Sequence, residues 1–213
     1  MKILLFISLL PVITSAWSAS PGTPERGNCD KPMPETDLRH CSFAGKRIDG
    51  LDIQGAVLNG VDFSNARLNG CNLSGASLKE ANLKWAFLTD CTIRKADFLE
   101  AELFHTTFDG SVLDGSRFTG CFMQRAVLLE SKLVDAYFHD ATLTGGSLEG
   151  ADFSGATLNH SLLNGTHLQG TSFRDADLAN SRFVNAHVQE ADFSGARNMP
   201  DHLKKMLGKG TSN

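Results

Sequence analysis

Apolar residues recur along this chain at every fifth position. Starting from Leu38 and stepping by five through Phe43, Ile48, Ile53 and onward to Phe193, thirty-two consecutive positions hold only Leu, Ile, Phe, Met or Val. Two residues before each of these centres lies a second restricted position. It holds Ala fifteen times, Ser five, Thr four, Cys four and Gly once, and only Lys46, Leu51 and Val61 are larger. Two residues after each centre, Gly is the commonest choice, with Asn, Asp and Glu among the others.

A period of five excludes the ordinary elements. On an α-helix, five residues turn through about 140°, so the apolar positions would wind around the cylinder and form no stripe. On one continuous strand, an odd step would send successive centres to opposite faces. The pattern closes only if the backbone turns a corner in every repeat. The small position and the centre lie two apart, so a short extended segment points both inward and the residue between them outward. The next two residues form the corner, where Gly tolerates positive φ. A chain repeating one corner coils into a solenoid, and no loop interrupts the phase from 36 to 197.

The segments "ANLKW" (81–85), "ADFLE" (96–100), "ADFSG" (151–155) and "ADLAN" (176–180) resemble the A-(D/N)-L-x-x unit of the pentapeptide repeat family. The resemblance covers residues 36–197. It implies an all-β fold, a right-handed quadrilateral parallel β-helix with four repeats per coil and about eight coils. At about 4.8 Å per coil the rod would be roughly 40 Å long. Four columns of centres would then stack, with Phe98 below Phe118 and Phe138, and Phe153 below Phe173 and Phe193. The narrow interior explains the small second position.

The ends break the rhythm. The opening "MKILLFISLLPVITSAWSASPG" has one Lys, an apolar run and then small residues, the layout of a secretory signal peptide over residues 1–18. Cleavage is expected after Ala16 or Ser18, which would place the mature protein in the periplasm or outside the cell. Once the leader is removed, no stable membrane insertion is expected. Residues 19–35, rich in Pro and Gly, are expected to form a tail and an N-terminal cap. In residues 198–213, Pro200 and Asp201 suit a first helical turn, and Leu203, Met206 and Leu207 share one helical face. A short helix closing the last coil is expected there.

Cys41, Cys71, Cys91 and Cys121 occupy the small inward position, where Cys behaves as a slightly larger Ala. Cys71 and Cys91 would stack in neighbouring coils. Cys29, in the cap, could pair with Cys41 as a disulfide, which an exported protein would retain. No Cys-x-x-Cys occurs, and no zinc site is expected. His167 and His187 would also stack in adjacent coils, as solvated surface imidazoles.

Chemistry and charge narrow the function further. No phosphate loop, nucleophile elbow or metal-spaced His pair is present, and no loop insertion could wall off a pocket. An enzyme is therefore not expected, nor a cofactor. The net charge of −4 gives no footprint for nucleic acid. The mid-chain outward positions differ from the rest. Trp85, Phe104 and Phe122 would lie on one face in three successive coils, with Phe87, Val127 and Leu129 around the corner and His105 and Arg125 in the corner column of Trp85. Such grouping of large apolar residues marks a surface for a protein partner or for self-association.

These features describe an exported scaffold or protein–protein interaction module. The resemblance also implies an alternative, since the family includes mimics of DNA that bind DNA gyrase. Residues 36–197 carry twenty acidic and fourteen basic side chains, and Arg94, Lys95 and Arg125 interrupt any phosphate-like row. An effector secreted to act on another cell is a third reading.

Overall fold

The computed structural model describes residues 22–209, so the signal-peptide segment lies outside the described residues. From Asp37 to Arg197 every outward middle residue forms a parallel bridge with the residue twenty positions later, beginning Asp37–Val57 and ending Asp177–Arg197. Twenty residues are four quintets, so each coil has four sides and four corners. The sides are too short to count as continuous strands, but the ladder they form is unbroken.

The corners share one geometry. Most centre carbonyls accept from the N–H three residues later, as in Cys71 to Leu68 (3.0 Å) and Ala101 to Phe98 (2.9 Å), while the Ser111 and Ser116 hydroxyls bridge the N–H of Cys91 and Ala96 to the Leu88 and Ile93 carbonyls. The second corner residue has φ between 54° and 72° at every repeat from Gly45 to Gly195. A positive φ at only the second central residue defines a type II turn. Fifteen of these residues are Gly, and the others include Trp85, Lys95 and Arg125.

The inward positions make a continuous dry core. Phe98, Phe118 and Phe138 stack with centroids 4.9 Å apart at each step, and Phe153, Phe173 and Phe193 stack at 5.3 and 5.0 Å. Leu58, Leu78, Ala56, Ala76, Ala96 and Ala136 are fully buried around them. The hydroxyls in the small position are satisfied by backbone. Thr106, Ser111, Ser131 and Thr171 donate to the carbonyls of Leu83, Leu88, Phe108 and Leu148 in the coil below at 2.6–2.8 Å. Ser161 and Ser181 donate to their own turn carbonyls at 2.7 Å. Burying these hydroxyls therefore incurs little of the penalty of an unpaired polar group.

The Asp and Asn residues of the repeat have a similar role. Asp62, Asp97 and Asp152 each accept the N–H two residues later, at Ser64, Leu99 and Ser154, over 2.8–3.1 Å. In some repeats where this position lacks an Asp or Asn, one in the coil below serves instead, as Asp109 does for Leu129 and Asn164 for Val184. The first corner N–H is thus paired from two sources.

Both ends are covered. At the N-terminal end Arg26 bridges Asp37, and Asn28 and Lys31 close a tight antiparallel turn. Of the three larger residues in the small column, Lys46 and Leu51 sit in this first coil, while Val61 in the next is buried. Lys46 is exposed and Leu51 half-buried, so neither has to fit the narrow interior. At the other end helix α1, Asp201–Lys209, lays Leu203 into the core with Met206 and Leu207 against it. His202 Nε2 accepts the N–H of Phe183 at 2.9 Å. In every coil below, that donor meets the carbonyl nineteen residues on, as Phe63 meets Asn82. Residue 202 stands at that place in the count, and its imidazole substitutes for a coil that is absent.

Candidate functional site

The outward columns are mostly polar, and the exception is the corner between two sides in the middle of the rod. Trp85 stacks flat on His105 with centroids 4.0 Å apart, and Phe104 meets both rings edge-on at 5.6 and 4.6 Å. The order is built by the fold, because Trp85 and His105 are second corner residues of adjacent coils and Phe104 is the residue before His105. Trp85 is 47% exposed, Phe87 40% and Phe122 54%. Phe104, Val127 and Leu129 are half-buried in the same region. The Arg67 guanidinium lies over the Phe87 ring at 5.1 Å, a contact the sequence reading did not identify. Phe87 and Val127 share one outward column with Thr107 between them.

Beyond this apolar strip the next corner is acidic. Burial pushes the Asp109 carboxyl above the usual carboxylate range, opposed by the Leu129 N–H and reinforced by Asp90 and Glu149. One Glu149 oxygen is buried without a partner. Elsewhere, an open depression of about 730 Å³ is lined by Arg94, Lys95, Asp114, Val134, Asp135 and the exposed Tyr137. Arg94 pairs with Asp114 at 3.6 Å within it. Nothing in the repeat pattern marks Tyr137, because one aromatic in an outward slot has no apolar neighbour one coil away. His167 and His187 stack in parallel at 4.7 Å, both exposed.

Cys29 and Cys41 form a disulfide with their Cα atoms 5.4 Å apart. The bond ties the cap to the first coil. Cys71, Cys91 and Cys121 are free and buried. Cys91 Sγ donates to the Leu68 carbonyl at 3.0 Å and accepts the Cys71 N–H at 3.1 Å. Burial raises the Cys121 thiol to about 12. One side chain near the disulfide was not singled out from the sequence. His40 Nε2 lies 3.8 Å from Cys41 Sγ. Among the described residues, Cys29, His40 and Cys41 are the one group of His, Cys, Asp or Glu placed to share a metal ion. No helix among the described residues is long and apolar enough to cross a membrane.

Comparison with known proteins supports the fold. No curated protein matches the chain by sequence. Among solved structures it is similar to HetL, a pentapeptide repeat protein involved in heterocyst differentiation regulation from the cyanobacterium Nostoc. That match has 21% identity, covers 75% of this chain and 91% of that one, and has a TM-score of 0.52. It is also similar to QnrB1, a plasmid-mediated fluoroquinolone resistance protein. A trypsin-treated form matches at 19% identity over 80% of this chain and 92% of that one, with a TM-score of 0.63. The full-length form matches at 20% identity and the same coverage, with a TM-score of 0.58. Such identities carry the fold alone. The family description "Pentapeptide repeat region" matches residues 54–118, and "Pentapeptide repeats (8 copies)" matches 121–159, 131–170 and 158–195. With these matches spanning more than half of the chain and a twenty-residue register running through both, the protein belongs to the pentapeptide repeat family.

Proposed function

We propose that this protein is a non-enzymatic, exported interaction module that engages a protein partner, or a second copy of itself, through the mid-rod corner around Trp85. One observation carries the reading. Trp85, Phe87 and Phe122 are 47%, 40% and 54% exposed in one region of the surface, where Phe104 meets the Trp85 ring edge-on and Val127 and Leu129 are half-buried. Large apolar side chains grouped in the open are characteristic of a contact surface. The N-terminal apolar segment supports export, and a disulfide at the cap suits an oxidising compartment. The neighbours' low identity lends no weight to a shared target.

The test is the double substitution of Phe104 and Phe122 to Ser. Both rings point outward, so circular dichroism should not change. Sedimentation of the wild type should show a concentration-dependent complex, either self-associated or with a partner from the native envelope fraction, and the double variant should lose it. A wild-type monomer that retains nothing the variant fails to retain would sink the reading. N-terminal sequencing of the mature protein tests export separately.

A further inference from the structure

The structure assigns a second site, independent of the mid-rod corner: we infer that Cys29, Cys41 and His40 form a redox-gated site for a soft monovalent metal ion, cuprous copper. Cys29 and Cys41 are closed as a disulfide, and reduction exposes an S₂N donor set. The three ligand atoms lie within 4.8 Å of one another, and no carboxylate joins the group. Two thiolates and one imidazole suit a thiophilic d¹⁰ ion content with three ligands.

The geometry fits. With metal–sulfur near 2.3 Å and metal–nitrogen near 2.0 Å, ligands at 120° stand about 3.7 Å apart across a sulfur–nitrogen pair and about 4.0 Å across the two sulfurs, which must part on reduction. The Cys41 Sγ to His40 Nε2 separation is 3.8 Å. The backbone that carries the ligands does not depend on the S–S bond. Gly27 donates to Asp37 and Asp37 to Glu25 at 2.9 and 2.8 Å, Lys31 donates to Asn28, and Cys41 donates to Leu38 at 2.8 Å. Rotation about the Cys side chains alone can therefore part the sulfurs to make room for an ion. His40 is also exceptional in the fold. Of the second corner residues from Glu35 to Gly195, it alone lies outside the positive-φ region, so its side chain leaves the corner in a different direction from the rest of its column.

Access and charge agree. His40 is exposed and Cys41 buried, so an ion would enter from the imidazole side. A surface depression of about 650 Å³ opens there, lined by Arg26, Asp37 and Arg39, with Arg39 paired to Asp37. A cuprous ion bound by two thiolates carries one net negative charge, which the Arg26 guanidinium, outside that pair, offsets.

The chemistry balances with one co-reactant, a dithiol donor. The donor passes two electrons to the Cys29–Cys41 bond and becomes its own disulfide. Its two protons end on the cysteine sulfurs. Copper(I) then displaces both protons and takes the Nε2 lone pair of His40.

The experiment uses the mature protein, reduced with a phosphine that is then removed without air, and titrated with copper(I) against a coloured bidentate chelator. One ion per chain is expected. The oxidised protein and the C29S variant should lose that binding, and H40A should weaken it by roughly tenfold or more, the scale on which disturbed ligand shells lose metal. X-ray absorption on the wild-type complex guards against misfolded variants and should fit two sulfurs and one nitrogen. Binding that survives C29S, a shell containing sulfur alone, or no binding by the reduced chain would each overturn the assignment.

Discussion

Single residues carry two kinds of stress in this molecule, and each predicts a measurable shift. Glu80 holds φ of 57° at a corner where it is exposed. Relief of the left-handed penalty, about 1–2 kcal/mol, exceeds the roughly 0.5–1 kcal/mol that Gly costs in the unfolded chain. E80G should therefore stabilise the fold by about 0.5–1 kcal/mol in urea titration. The opposite stress is volume. Ala136 is fully buried beside the Phe118–Phe138 stack, and A136L should destabilise by about 1–3 kcal/mol through overpacking. Asp109 adds a pH test. Its folded-state value is raised, so the native state holds the proton more tightly, and stability falls as pH rises through that raised value. D109N keeps the acceptor for the Leu129 N–H and removes the charge. Its melting temperature should exceed wild type at pH 7, and the gain should vanish near pH 3.5.

At the scale of the element, the quintet was the most readable part of the sequence. Each position has one physical duty, and thirty-two copies average away local exceptions. Inward centres, small partners and left-handed corners all follow from the period. The Asp–N–H bond that explains the family's second letter does not, because the period marks this position only as outward and says nothing of the carboxylate turning back to the N–H two residues on. The caps were legible in outline only. Leu203, Met206 and Leu207 announce α1 by spacing, but His202 has no pattern to betray it. Its role appears once the ladder is counted upward from Phe183. H202A should orphan that buried N–H and cost about 1–3 kcal/mol. Hydrogen exchange should show the loss confined to the last coil, because repeat stacks couple only to neighbours. The patch was legible as a column argument. His40 was not, because its partner Cys29 lies outside the repeat.

For the whole molecule, the register governs what can change. A centre is interchangeable with any other, since Leu, Ile and Phe all fill the interior. One quintet inserted between Thr119 and Gly120 would thus leave the inside intact. Outside, it would swing everything downstream by a quarter revolution about the rod axis. Phe122, Val127 and Leu129 would come to face a different direction from Trp85 and Phe87, while a full twenty-residue insertion would restore their bearing one storey higher. The rod therefore works as a combination lock: its interior accepts any click of five, and its surface message is spelled only when the clicks total a complete turn.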